Sequence, residues 1–126
     1  MPFQYSFDSA HALLYIAFSG HVDVATLLAV RQTIRADPRF DPSLPTLVNV
    51  TQVSALALVV KDVLQFEPPP DAPAAARIAI VATSPAQRDL ARVFCAIRGP
   101  QAESLVTPYM DEALEWLGRR GWTPPP

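Results

Sequence analysis

Three polar side chains lie close together in the chain and are the first candidates for chemistry: Asn49, Thr51 and Ser54. Asn49 and Thr51 belong to the run Leu47-Val48-Asn49-Val50-Thr51, which reads as a short buried strand between two helical segments. Such a strand usually sits centrally in a parallel sheet, and the C-terminal ends of such strands are where these sheets place their sites. Asn49 could hydrogen-bond a ligand there, or spend its amide on neighbouring loop backbone, as buried polar groups generally must. Neither Asn49 nor Thr51 has the chemistry of a catalytic group. Ser54 falls where a loop is expected to lead into a second helix. A phosphate on it would meet the dipole and free N–H groups of a helix N-terminus. The plainer reading is an ordinary turn or cap serine.

The remaining reactive types are sparse. His11 and His21 bracket a predicted strand, which if extended holds the rings about 30 Å apart, too far to share a metal. No other cysteine, histidine or acidic cluster has zinc-like spacing. Cys95, the only cysteine, has no histidine or lysine near it in sequence and falls on the predicted inner face of a helix, so it reads as an inert thiol. The four glycines include no Gly-x-Gly arrangement for a phosphate loop. No nucleophile–base pair, carboxylate pair or metal set is visible, so neither an enzyme nor a cofactor is expected.

Composition narrows the classes further. A chain of 126 residues, half of them hydrophobic and 17% charged, is one domain with a sizeable core. A formal charge of −2, with basic residues scattered along helices, argues against a nucleic-acid surface or an anionic membrane. No apolar run approaches the roughly 18 residues needed to span a bilayer, so no membrane insertion is expected. The single cysteine and the absence of a basic-then-apolar start to the chain point to a cytoplasmic protein.

The elements that must position these residues follow from periodicity. Phe3–Phe7 alternates like a half-buried strand, and Leu13–Phe18 is a second, more apolar strand ending at Gly20. Asp23 caps a helix to about Ala36, with Val24, Leu27, Leu28, Val30 and Ile34 as its buried stripe and Pro38 as its stop. Val53–Phe66 reads as a loop and a second helix, and Glu67–Pro73 as an extended proline-rich connection. Ile78–Ala82 is the next buried strand. Ser84-Pro85-Ala86-Gln87 is a helix start with an N-cap, a proline at the first position and a capping-box glutamine. Ser104–Thr107 is a short edge strand. Met110, Ala113, Leu114 and Leu117 give the last helix its stripe, Gly118 its stop, and 124–126 form a disordered tail beyond a domain spanning 1–123. The order predicts an α/β sandwich, with a mixed sheet of about five strands and four helices.

Ala36-Asp37-Pro38-Arg39-Phe40-Asp41-Pro42, then Leu47-Val48-Asn49-Val50, then Asp111–Gly118 resemble the bacterial SpoIIAA-like proteins, relatives of the STAS domain. The resemblance spans nearly the whole chain and implies a small sheet with packed helices, also likened to CRAL-TRIO lipid-binding domains. Such proteins commonly carry an aspartate where this chain has Asn49. The phosphorylated STAS signature, Asp-Ser-(Ser/Thr)-Gly, is absent; Ser54 alone lies in the right region, among Val53, Ala55 and Leu56. The expectation is therefore a non-catalytic, homodimeric domain acting through protein contacts. Its surface would run from Asn49, Thr51 and Ser54 onto the uncharged stretch with Leu56, Leu58, Val59 and Val63. The alternative is a binding module for an apolar small molecule or lipid, using the second helix as a lid over a cleft.

Overall fold

The computed structural model describes residues 2–66, 76–99 and 102–125. Five strands, β1 (Phe3–Asp8), β2 (Leu13–Asp23), β3 (Thr46–Ala57), β4 (Ile78–Val81) and β5 (Ser104–Thr107), lie in one sheet in chain order. Among the described residues there are four helices, α1 (Val24–Ala36), α2 (Val60–Leu64), α3 (Pro85–Ile97) and α4 (Met110–Trp116). β1 pairs antiparallel with β2, and every later neighbour is parallel. This is the mixed α/β sandwich that the element order predicts. The connection Glu67–Pro73 lies outside the described residues.

The side-chain alternation of the inner strands builds two cores. Leu14, Ile16 and Phe18 of β2, Val48 of β3 and Ile78 and Ile80 of β4 face one side, where they meet Val30 and Ile34 of α1 and Ala91 of α3. Leu13, Tyr15, Leu47, Ala79 and Val81 face the other, under Ala113 and Leu114 of α4, with Leu117 and Trp122 just beyond it. A sheet buried on both faces has no polar register to use, which is why these strands read as nearly unbroken apolar runs.

Capping explains the helix ends. The Asp23 carboxylate accepts the Thr26 N–H at 2.9 Å and starts α1. Asp37, held extended before Pro38, ends it. After α4, Gly118 takes a φ of 74°, its N–H reaches the Glu115 carbonyl, and the Arg119 N–H reaches that of Leu114. That pair of bonds is a Schellman closure, made at a conformation glycine adopts without strain.

Four local expectations are corrected. β2 does not end at Gly20 but runs to Asp23, and β3 does not end at Thr51 but runs to Ala57. Each extension supplies the other's partner, through pairs such as Gly20↔Val53 and Asp23↔Ala57. A short apolar stretch has no period to separate helix from strand, so long-range pairing decided the matter. In α1, Leu28 is 41% exposed and leaves the buried stripe to Thr26, Val30 and Ile34. In α3, Ser84 Oγ accepts the Gln87 N–H at 3.1 Å, but Gln87 Oε1 is buried without a partner, so the reciprocal half of the capping box is missing.

The chain's two ends are tied together on the α4 side. Trp122 packs on Tyr15 with ring centroids 5.3 Å apart and donates its indole N–H to Asp8 Oδ2 at 2.8 Å. Arg119 donates to the carbonyls of His11 and Ala12 in the β1–β2 turn. The Trp122 bond first, then the His11 amide, hold the Asp8 carboxyl down at about 2, from an ordinary value of 3.8. A depressed folded-state value stabilises the fold above the unfolded value, and that contribution is lost as pH falls through the folded one. Thermal melts of the wild type and Asp8→Asn should therefore differ most above pH 4 and converge as pH approaches 2; a gap independent of pH would refute the ionic role of Asp8.

Candidate functional site

Past its last pair with β4, Asn49↔Val81, β3 continues alongside β2 alone. Thr51 and Ser54 lie on this parallel two-stranded extension, and Asn49 stands at its root. Its register slips twice: two steps along β2 (Ala17 to Ser19) match three along β3 (Asn49 to Gln52), and one step from Gly20 to His21 matches two from Val53 to Ala55. Both extra residues therefore belong to β3. Each is a bulge, which bends its strand and sharpens the twist.

Asn49 secures the first bulge. Its Oδ1 accepts both the Thr51 N–H at 2.9 Å and the Thr51 hydroxyl at 2.7 Å, and its Nδ2 donates to the Tyr15 hydroxyl at 3.1 Å. The backbone N–H that the irregular ladder frees is thus satisfied from two residues back, the side-chain mimicry of a turn for which Asn is suited. Asn49 and Thr51 are close enough to act together, but they act on each other.

Ser54 is the unregistered residue of the second bulge, and it is exposed. It does not open a helix. α2 begins at Val60 and has five residues, with Asp62 Oδ2 accepting the Val59 N–H at 2.9 Å at its start. The dipole argument for a phosphate on Ser54 therefore loses its physical basis, because a strand interior offers neither free N–H groups pointing outward in a cluster nor a macrodipole.

The apolar candidates divide by burial. Leu56 and Leu58 pack partly against the core on the α1 side. Val63 is 3% exposed and serves the interior, so it is not a surface contact as expected. Val59, by contrast, is 62% exposed, and its apolar neighbours Val60 and Leu64 are 49% and 47% exposed. α2 is only five residues long, so burying Val63 leaves Val60 and Leu64 outside, beside the exposed Lys61. A groove of about 620 Å³, lined by Tyr109, Met110, Leu114 and Trp122 among others, lies on the α4 side. That is the opposite face of the sheet from Leu56 and Leu58, whereas the expected cleft lay below the second helix.

The titratable groups are committed to structure. His11 Nδ1 meets Asp8 Oδ2 at 2.9 Å, while His21 lies 3.8 Å from Asp23, so the two histidines serve different ends of β2. Asp37 is held well below the usual carboxylate range by the Arg39 guanidinium and amide, with the Tyr5 hydroxyl adding to them. Thr26 lowers Asp23 and Ser43 lowers Asp41 in the same way. Burial pushes the Cys95 thiol up, away from the reactive thiolate. General acid–base work at neutral pH needs carboxylates raised towards 7, and these move the other way. Among the described residues, no group of three His, Cys, Asp or Glu side chains is placed to hold a metal ion, and no helix is long and apolar enough to cross a membrane.

A five-stranded mixed sheet with these four helices is the SpoIIAA-like α/β fold. Similar architecture is found in an uncharacterised protein of the DUF3478 family with a SpoIIAA-like fold from Shewanella loihica PV-4, at TM-score 0.56 and 19% identity over 91% of this chain and 93% of that one. An anti-sigma factor antagonist from Mycobacterium paratuberculosis is similar at TM-score 0.53 and 16% identity, over 92% and 94% of the two chains. No protein-family model matches the sequence. No curated protein matches it either.

Substitutions at Asn49 should separate its two roles. Asn49→Ala strands the Thr51 N–H and should cost about 1–3 kcal/mol. Asn49→Asp retains the acceptor and lets the Tyr15 hydroxyl donate instead, so urea denaturation should show a loss well below that of the alanine variant. Equal losses for the two would mean that the contact with Thr51 contributes nothing.

Proposed function

We propose that this chain is a non-catalytic, STAS-like regulatory domain that works through protein–protein contacts and is homodimeric. Its working surface is the far end of the β2–β3 extension together with the outer face of α2. The observation that carries this reading is the exposure of Val59, Val60 and Leu64 within six residues of one another. Single exposed apolar side chains are ordinary on a monomer, whereas grouped ones mark a surface that is covered in use. The exposed Ser54, Ala55 and Ala57 extend this surface with small, uncharged side chains along the end of β3. The regulatory element of the proposal draws on the similarly folded protein described as an anti-sigma factor antagonist.

A catalytic reading has less to stand on, since the described carboxylates with shifted values serve as hydrogen-bond acceptors within the fold. Leu58 would be a poor probe of the surface, because Leu58→Asp would also injure the core it packs against. Val59→Asp with Leu64→Asp changes only exposed positions. Sedimentation velocity should show the wild type as a dimer at micromolar concentration and the double variant as a monomer with unchanged circular dichroism. A wild type that stays monomeric at high micromolar concentration would sink this reading.

A further inference from the structure

We infer that two copies of this chain join by pairing the free edge of β3, residues 50–57, antiparallel about a two-fold axis. The inference rests on the homodimeric reading above and specifies how the dimer is built. On the side of β3 where β4 stood, the ladder stops at Asn49↔Val81. From there to Ala57 the strand is paired through β2 only, and among the described residues no other backbone bonds to this stretch. Over that length, about 26 Å at strand rise, the open side has no backbone partner among the described residues, and of its amides only that of Thr51 is taken by a side chain, that of Asn49.

The chemistry of that edge names its occupant. A row of alternating backbone donors and acceptors is matched by another extended backbone, as in strand addition. Natural sheets blunt exposed edges with charges, prolines or bulges. Here only bulges are used: from Val50 to Val60 there is no charged residue, no proline and no glycine, and the first charge is Lys61. An edge so little defended is one that is covered.

A second copy fits it for two reasons. Antiparallel isologous pairing sets residue i opposite j and j opposite i, and only the residues at the axis meet their own counterparts, where a charge would repel itself; this stretch carries none. Near the centre of the stretch stand Ser54 and Ala55, both exposed and both small, so two backbones can approach there without a side-chain clash. The exposed Val59 and Val60 follow directly after the edge, so the same association continues onto the apolar face of α2. Only the antiparallel arrangement closes as a dimer, since a parallel one would leave the relation between copies open-ended.

Charge pairing at Ser54 tests the inference. Ser54→Lys should be monomeric by native mass spectrometry, Ser54→Asp likewise, and an equimolar mixture of the two should form a one-to-one dimer. Ser54→Lys that remains dimeric while Val59→Asp with Leu64→Asp dissociates would overturn strand pairing but leave the homodimer in place. Failure of the mixture to reassociate would overturn the two-fold arrangement. Amide hydrogen exchange on the unaltered protein gives a reading that needs no variant. Amides within 52–57 should exchange at least tenfold more slowly at high than at low protein concentration, and exchange independent of concentration would overturn the pairing.

Discussion

Everything in this molecule hangs on the pairing of β2 with β3. β2 is the only strand with an antiparallel neighbour on one side and a parallel one on the other. Its odd residues Leu13 and Tyr15 build one core and its even residues Leu14, Ile16 and Phe18 the other. A slip of one residue against β3 would exchange those two sets and bring Leu47, now fully buried, to the wrong face. The two cores, the placing of α1 immediately after β2 and the seat of α4 beneath Tyr15 and Trp122 all presuppose that register. The slips that do occur come after Ala17, and Phe18 and Val22 still reach the core on the α1 side.

The carboxylates show a division of labour that bears on function. Asp8 holds the C-terminal segment through Trp122, Asp23 caps α1, Asp37 gathers Arg39 and Tyr5, and Asp41 closes its own turn with Ser43. Each is stabilised as the anion by the donors it collects, and each would lose structural value on protonation. Acidic groups so arranged are poor proton donors at neutral pH. The chain's net charge of −2 also leaves no broad field for steering an ionic partner. What remains available for recognition is backbone and apolar surface, and both are concentrated past the end of β4.

The fold was legible in the sequence because its signals were local and concordant. Asp23, Pro38, Ser84-Pro85 and Gly118 mark the ends of helices through bonds made within a few residues, and the i, i+3, i+4, i+7 stripe of α4 needs no tertiary context. The site was legible only in outline. Asn49 was read with two open roles, and the structure shows it satisfying a neighbour rather than standing free. Ser54 was misplaced because Val53–Leu58 carries the same apolar composition whether helical or extended, and only the partner strand, Ser19–Asp23, decides between them. Gly20 reinforced the error: a glycine reads as a strand's end, yet here its φ of 69° lets β2 continue beside the second bulge. Exposure of Val60 and Leu64 depends on α2 being one short turn, which no local pattern announces.

The bulges that misled the sequence reading are also what make the far end of the sheet distinctive. A regular β3 would carry its strand straight on from Val81's last pair, with β4 too short to follow. With an extra residue inserted at each of two points, β3 bends and its twist relative to β2 sharpens. Bulges cost ladder bonds, and Asn49 recovers one of them by taking the Thr51 N–H. A side chain retained for that purpose argues that the bend is specified rather than tolerated. Such a specified bend, followed by a strand without charge and the exposed Val59, Val60 and Leu64, sets backbone groups and apolar side chains close together in the chain. That grouping is the strongest support for the proposal that this end of the sheet meets another chain.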